Sequence, residues 1–264
     1  MSESLHPAAA PADAAPAAAK YLYCIVRLDR PREFGPVGLA GTRRVYTVHH
    51  RDLAAVVSDA AGVAADPTRE NVLEHQQVTE VAMREGAVLP VSFGTVVRSE
   101  EDVAELLRSR YEPLASRLDR VRDKVEIDLR VLWDRERVAE QVEREDPEIV
   151  CILEEIDRNV DTSTYYSRRE LDRLLRAAVE AAGNRYAAEV REALRSVSAA
   201  CQSNSPGADE VLLAAAFLVD RDGVPAFEER VRGLGERFAG VLTFKCGGPC
   251  PPYSFASVRV ARGD

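Results

Sequence analysis

The sequence predicts an α+β protein of two domains. At 264 residues the chain is long enough for one or two domains. Several segments repeat apolar residues with the period of a helix, and Val125–Trp133 alternates apolar and polar residues with the period of a strand. Because an alternating strand places its polar residues on one side, it predicts a sheet with one solvent-exposed face, as in antiparallel α+β folds.

The chain divides by composition into three predicted parts. Residues 1–19 are rich in Ala and Pro and predict a disordered tail, because repeated proline prevents a helix. The tail has neither the basic region nor the continuous apolar region of a secretory signal. Residues 20–133 are predicted to form an N-terminal α+β domain. A charged helical pattern begins at residue 134, so residues 134–264 are assigned to a C-terminal domain.

The first domain is predicted to alternate strands and helices. Short apolar runs bounded by turn residues predict strands; these are Tyr21–Leu28, Arg44–Val48, Leu53–Ser58 and Val88–Val97. Asp66 and Pro67 are typical of a helix start, and this helix would bury His75 on its apolar face. Ser99 is predicted to cap one continuous helix that extends to Val121.

The second domain is predicted to pack long helices on a sheet. Arg135–Arg144 predicts a helix, and the pattern of Pro147–Ile156 fits either a helix or a strand. Ser167 opens a long helix whose apolar stripe is expected to reach Cys201. A further helix is expected after Pro225. Three apolar runs predict strands: Val211–Val219, Val241–Cys246 and Phe255–Val260. This order is consistent with a ferredoxin-like arrangement.

The charge balance excludes one class of partner. The chain has 35 Lys and Arg against 44 Asp and Glu, a net charge of -9. Proteins that bind nucleic acid carry a basic surface, so neither nucleic acid nor an anionic membrane is predicted as a partner. The five cysteines are an odd number in a chain without a secretory signal, which argues against a disulfide framework.

The sequence predicts no catalytic, cofactor or metal site. His75 lies on an apolar helix face and is expected to be a hydrogen-bonded core residue. His49 and His50 are adjacent on an extended segment, so their side chains diverge. Cys246 and Cys250 are separated by Gly-Gly-Pro, unlike a redox C-x-x-C pair. Two alternatives stay open, namely a small-molecule enzyme that uses His75 or the cysteines, and a thiol- or metal-responsive regulator.

Two segments carry a family resemblance. Leu89–Val97 reads LPVSFGTVV, and Gly248–Phe255 reads GPCPPYSF. Together with the segments YLYCIV, LEHQQV, SEEDVAELL and VEIDLRVLWD, in this order, they resemble the gas vesicle F/L family, the accessory proteins called GvpF and GvpL. The chain departs from the family pattern at Cys250, where the family has a tryptophan, so a large aromatic contact is lost there.

The resemblance implies a function and a fold. It implies a non-enzymatic accessory or structural protein of the gas vesicle, a gas-filled protein shell in the cytoplasm of prokaryotes. Such a protein would bind the small hydrophobic shell subunit and other gas vesicle accessory proteins. It would limit aggregation of the subunit and assist nucleation and assembly of the shell. The implied fold has two α+β domains, of which the second is a modified ferredoxin-like domain.

The two segments also supply the candidate structural or interaction residues. These are Phe93, Gly94, Pro249, Pro251, Pro252, Tyr253 and Phe255. The prolines fix φ and favour an extended segment that no helix follows. Because large aromatic side chains usually bury locally, docking within the chain is favoured over partner contact. Phe93 and Gly94 are predicted to lie in a core strand where another backbone approaches closely.

Overall fold

A computed structural model describes residues 19–39, 44–60, 66–158, 165–205 and 207–259. The chain forms two compact units. The first comprises Met1–Arg120 with Ser257–Asp264, and the second comprises Val121–Ala256. The predicted disordered tail at residues 1–19 lies outside the described residues except for Ala19.

The first unit is built on an antiparallel sheet. Its strands are β1 (Lys20–Arg27), β2 (Glu33–Gly35), β3 (Val45–His50), β4 (Leu53–Asp59), β5 (Val88–Pro90) and β6 (Val96–Val97). They are ordered β2-β3-β4-β1-β5, and β6 pairs with the beginning of β1. The central position of β1 explains its uninterrupted apolar sequence, since residues Tyr21–Val26 are all buried.

Three helices belong to this unit: α1 (Arg69–Met83), α2 (Glu100–Ser109) and α3 (Tyr111–Arg120). The predicted cap of α2 is confirmed, because the Ser99 hydroxyl accepts a hydrogen bond from the Asp102 amide at 3.1 Å. The predicted cap of α1 was wrong, since Thr68 rather than Asp66 accepts from the Asn71 amide. The single helix predicted from Ser99 to Val121 is two helices, interrupted at Arg110.

The second unit also contains an antiparallel sheet. Its strands are β7 (Lys124–Trp133), β8 (Ala200–Asn204), β9 (Val211–Asp220) and β10 (Leu242–Cys250), in the order β10-β7-β9-β8. Counted within the unit, the strand order is 4-1-3-2, the order of a ferredoxin-like sheet. The helices are α4 (Arg135–Glu145), α5 (Pro147–Arg158), α6 (Tyr165–Arg195), α7 (Val224–Arg237) and α8 (Tyr253–Ala256). The unit differs from a simple ferredoxin-like fold because three helices, α4, α5 and α6, connect β7 to β8 in the sequence.

Strand β7 shows where the predicted domain boundary and the structure differ. The sequence analysis ended the first domain at Trp133, whereas the compact units divide between Arg120 and Val121. Alternation identifies a strand but not its neighbours, and β7 pairs with β9 and β10, which come later in the chain. The β7 residues Ile127, Leu129 and Val131 therefore belong to the core of the second unit.

Two further elements differ from the prediction. Helix α6 ends at Arg195, so Cys201 lies on the edge strand β8 and not on the apolar stripe of the helix. The segment Pro147–Ile156, for which helix and strand stayed open, is helical. Helix α6 continues through Gly183, where an added Cβ would lie 2.7 Å from the Trp133 ring.

Candidate functional site

The first candidate site is a cluster formed by the buried side chains of Tyr21, Tyr23 and His75 and the half-buried Phe93, here called the aromatic–histidine cluster. Strand β1 supplies the two tyrosines, α1 supplies the histidine, and the segment after β5 supplies the phenylalanine. The Tyr21 ring lies 4.8 Å from that of Tyr23 and 6.2 Å from that of Phe93. The His75 and Phe93 rings are 5.7 Å apart in an edge-on arrangement. The cluster therefore joins the YLYCIV, LEHQQV and LPVSFGTVV segments.

Both ring nitrogens of His75 are occupied. Nε2 lies 3.1 Å from the Val91 carbonyl oxygen, which can only accept, so Nε2 carries the proton. Nδ1 then accepts from the Tyr21 hydroxyl at 3.0 Å, and that hydroxyl in turn accepts from the Gly94 amide at 2.9 Å. Burial lowers the pKa of His75 to about 4, because a buried imidazolium loses its hydration. The predicted core role of His75 is confirmed.

The second buried tyrosine closes the other side of the cluster. The Tyr23 hydroxyl accepts from the Leu39 amide at 3.0 Å and lies 3.0 Å from the Ser58 hydroxyl. Burial raises the pKa of the Tyr21 phenol. Both tyrosines hold neighbouring segments in place through buried hydrogen bonds, which water does not reach to replace.

The Phe93–Gly94 region was predicted as part of one strand, and this was wrong. The strand is interrupted by a turn at Ser92–Thr95, in which the Thr95 hydroxyl donates to the Ser92 carbonyl at 2.6 Å. Gly94 has φ 79°, a left-handed conformation that favours glycine. An added Cβ at Gly94 would meet nothing within 4 Å, so backbone conformation rather than close approach requires glycine here.

The second candidate site is the GPCPPYSF segment, which contains the predicted residues Pro249, Pro251, Pro252, Tyr253 and Phe255. Gly248 has φ 108°, and an added Cβ there would lie 2.8 Å from the Glu126 carbonyl oxygen. The Gly248–Pro249 peptide bond is cis. Pro251 and Pro252 are buried, whereas Tyr253 and Phe255 are half-buried. Most of the segment is thus engaged in packing.

A short helix replaces the predicted extended course of this segment. Residues Tyr253–Ala256 form α8, in which the Ala256 amide donates to the Pro252 carbonyl at 2.9 Å. Proline suits the beginning of a helix because its missing N–H needs no partner there, so the expectation that no helix follows Pro252 was wrong. The expected strand Phe255–Val260 reduces to a bridge between Val258 and Val91.

Glu126 anchors α8. Its two carboxylate oxygens accept from the Ser254 amide and the Ser254 hydroxyl, each at 2.7 Å. Glu126 is one of the polar residues of the alternating strand Val125–Trp133, which predicts an exposed position, but its side chain is buried because α8 lies over it. Burial raises the pKa of the Glu126 carboxyl, although the bonds from Ser254 oppose this. Its strand position gave no signal for this role, because Ser254 lies far away in sequence.

Past Ala256, the chain continues in the first unit. The Val258 amide donates to the Pro90 carbonyl at 2.7 Å, and the Ser92 amide donates to the Val258 carbonyl at 3.3 Å. The Arg117 guanidinium donates to the Ser257 carbonyl at 2.6 Å. The residues after GPCPPYSF therefore pair with the LPVSFGTVV segment, beside the Val91 carbonyl that binds His75.

Within the described part of the chain, the other histidines and the cysteines do not assemble a reactive centre with His75. His49 Nε2 lies 2.8 Å from the Thr47 hydroxyl, whereas the His50 ring lies edge-on to Tyr111. All five cysteines are thiols rather than disulfides. Burial raises the pKa of the Cys24 thiol and that of the Cys246 thiol, which disfavours the nucleophilic thiolate.

Among the described residues, two of the places where a ligand could bind lie on the second sheet. Glu126, Asp128 and Cys250 have candidate ligand atoms within 4.8 Å of one another, but both Glu126 oxygens already hold Ser254. The exposed face of the second sheet carries a shallow depression of about 400 Å³, lined by Arg130, Lys245 and Cys246 among others. Both places contain a thiol and a carboxylate, but burial raises the pKa of the Cys246 thiol, and the Cys250 thiol donates to the Glu126 carbonyl oxygen at 3.5 Å. Neither thiol is therefore activated, and the arrangement best supports the packing and holding of chain segments.

Comparison with known proteins gives a consistent result. Residues 19–257 match the family model described as gas vesicle synthesis protein GvpL/GvpF. Gas vesicle protein F of a Streptomyces species is 31% identical over 237 residues, 89% of this chain and 98% of that protein. Gas vesicle protein F1 of Halobacterium salinarum is 25% identical over 243 residues, 91% of this chain and 93% of that protein.

Solved structures agree at the level of the fold. The crystal structure of GvpF from Anabaena has a TM-score of 0.80 at 20% identity and covers 92% of this chain and 99% of that chain. GvpF from Microcystis aeruginosa has a TM-score of 0.72 at 20% identity, with 91% and 100% covered. Within the described residues, no helix has the length and apolar character needed to cross a membrane.

Proposed function

This chain belongs to the GvpL/GvpF family of gas vesicle synthesis proteins, and from that premise we propose that it binds the hydrophobic shell subunit of the gas vesicle and assists nucleation and assembly of the shell. The observation that carries the proposal is the extent of the family match, which spans residues 19–257. Both compact units are included, so the proposal concerns the whole folded chain.

The proposed protein acts by binding and uses no catalytic chemistry or cofactor. Two groups that an enzyme could use as a base, His75 and Glu126, are committed to internal hydrogen bonds. Both nitrogens of His75 are occupied, and both oxygens of Glu126 accept from Ser254. A general base needs a lone pair directed at a substrate, and neither side chain offers one in this arrangement.

The two family segments are proposed to maintain the binding-competent fold. Phe93 and Gly94 fix the turn that lies over His75. Pro249, Pro251 and Pro252 lead the chain into α8, which Glu126 holds. The half-buried rings of Tyr253 and Phe255 leave part of each side chain exposed, so a partner contact at these rings is compatible with the docking role.

The proposed location is the gas vesicle in the cytoplasm, with the shell subunit and other gas vesicle accessory proteins as partners. Burial of apolar surface is the main driving force for such association. A small hydrophobic subunit that is bound during synthesis would expose less apolar surface to other copies, and its aggregation would decrease. Neither nucleic acid nor membrane is a proposed partner, in keeping with the net charge of -9.

The proposal is tested by deleting the gene in a host that makes gas vesicles and restoring it on a plasmid. Loss of vesicles on deletion, with recovery by the parent chain, is the expected result. Two matched variants, Glu126→Ala and Glu126→Gln, test whether the anchoring of α8 is needed for vesicle formation. Only the alanine variant loses both hydrogen bonds to Ser254. Normal vesicle formation without the gene, together with no association of the purified chain and shell subunit, would refute the proposal.

A further inference from the structure

The helical hairpin made by α5 and the first three turns of α6 has an incompletely covered apolar surface. Helix α4 covers the middle of α6, where Val138, Val179 and Ala182 form a buried cluster. Further toward the hairpin end, apolar side chains of both helices are only half-buried; they are Ile152, Leu153, Ile156, Leu171 and Leu174. Helix α4 contacts α5 as well as α6, yet these side chains stay half-buried, so a further helix would complete their packing.

The start of α6 also exposes aromatic surface. The large hydrophobic side chains that are strongly exposed among the described residues are Leu73 at 52%, Tyr165 at 61% and Tyr166 at 80%. Two of the three are adjacent, and their rings contact each other 5.7 Å apart. The Arg169 guanidinium lies 5.9 Å from the Tyr165 ring. Tyrosine and arginine are the side chains enriched at the energetic centres of protein interfaces.

The charges on the two helices are opposite and self-complementary. Helix α5 carries four acidic side chains and one Arg, whereas Tyr165–Arg176 carries four Arg and two acidic side chains. Among the described residues, the ion pairs on these two helices lie within one helix: Arg158 pairs with Glu154, Arg173 with Glu170, and Arg176 with Asp172. Between the two helices Glu148 attracts Arg173, but none of the ion pairs of these described helices joins α5 to α6.

We infer that this hairpin is a self-association surface, at which two copies of the chain pack about a two-fold axis. In such an isologous contact, α5 of one copy lies against α6 of its partner, and the same contact occurs twice. The four helices would enclose both half-buried stripes as a four-helix bundle. A second copy has the complementary charges, because each copy presents one acidic helix and one basic helix, and each would face the oppositely charged helix of its partner.

Charge reversal tests the inference on the full-length chain. Arg168→Glu with Arg169→Glu makes both helices acidic, and Glu154→Arg with Glu155→Arg makes both basic. Analytical ultracentrifugation over a concentration series should show a dimer for the parent chain. Each reversed chain should dimerise at least ~10-fold more weakly, in line with the loss of interface charge complementarity. Arg185→Glu, an exposed reversal on α6 outside the hairpin end, should leave the dimer unchanged.

Recombination of the reversed chains makes the test specific. An equimolar mixture of the acidic and basic chains should form a heterodimer, and a chain that carries all four changes should regain self-association. Circular dichroism and thermal unfolding check that every chain is folded. A parent chain that stays monomeric over the series, or a mixture that does not associate, overturns the inference. Binding of the shell subunit to a monomeric parent, abolished by the same reversals, would assign the surface to that partner instead.

Discussion

Acidification below pH 6.5 should destabilise the first unit through His75. In the unfolded chain a histidine titrates near its ordinary pKa of 6.5, and in the folded protein burial lowers this pKa to about 4. The folded state therefore binds fewer protons than the unfolded state between these two values. Stability that is complete above pH 6.5 is lost as the pH falls, and the loss is complete below about pH 4.

The magnitude follows from the size of the shift. One pKa unit corresponds to about 1.4 kcal/mol, so a shift from 6.5 to about 4 corresponds to about 3 kcal/mol. The structural cause is specific: protonation of Nδ1 would oppose a donor, the Tyr21 hydroxyl, against another donor. That hydroxyl would have to rotate its hydrogen away and accept from Nδ1 instead, so its own hydrogen would lose the acceptor that His75 provides.

Urea titration of the parent chain and a His75→Gln variant, at pH 7, 6, 5 and 4, isolates this contribution. Glutamine can donate to the Val91 carbonyl and accept from Tyr21, but it does not titrate. The free energy of unfolding of the parent chain, relative to that of the variant, should fall by about 3 kcal/mol from pH 7 to pH 4. A difference that stays constant across this range would show that His75 titrates normally and would refute the hydrogen-bonded arrangement.

Three substitutions test the other contacts by urea titration at pH 7. Glu126→Ala should cost about 2 kcal/mol because it removes two hydrogen bonds to a charged acceptor, and Glu126→Gln should cost less; equal losses would contradict the anchoring role. Gly183→Leu should cost roughly 1–3 kcal/mol by overpacking against Trp133, whereas the exposed neighbour Asn184→Ala should be nearly neutral; a neutral Gly183→Leu would contradict the contact. Gly94→Ala should cost about 1 kcal/mol, since alanine disfavours a positive φ; an unchanged midpoint would exclude that backbone conformation.

Features with a local cause could be predicted from the sequence. The alternation in Val125–Trp133 gave a strand, and the spacing of Ser99 and Asp102 gave a helix start. The order of the family segments gave the family, and the apolar face of α1 gave the buried position of His75. In each case the signal lies within a few residues, where side-chain periodicity and capping determine the structure.

Features that depend on distant residues were missed. Glu126 has the pattern of an exposed residue, yet Ser254 and α8 cover it. The edge strand Ala200–Asn204 has no apolar alternation, and its conformation comes from pairing with β9. The partners of His75, Tyr21 and the Val91 carbonyl, come from two other segments. Propensity and periodicity carry no information on such pairings, so tertiary context decided them.

The proposed function is that the chain binds the gas vesicle shell subunit and keeps this subunit from aggregating. The most direct measurement is co-expression of an affinity-tagged full-length chain with the shell subunit, followed by quantification of the subunit in the soluble fraction and in the affinity eluate. We expect more shell subunit in the soluble fraction when the chain is co-expressed than without it, and we expect the subunit to co-elute with the chain. A subunit that stays insoluble and absent from the eluate, beside a folded and abundant chain, would contradict it.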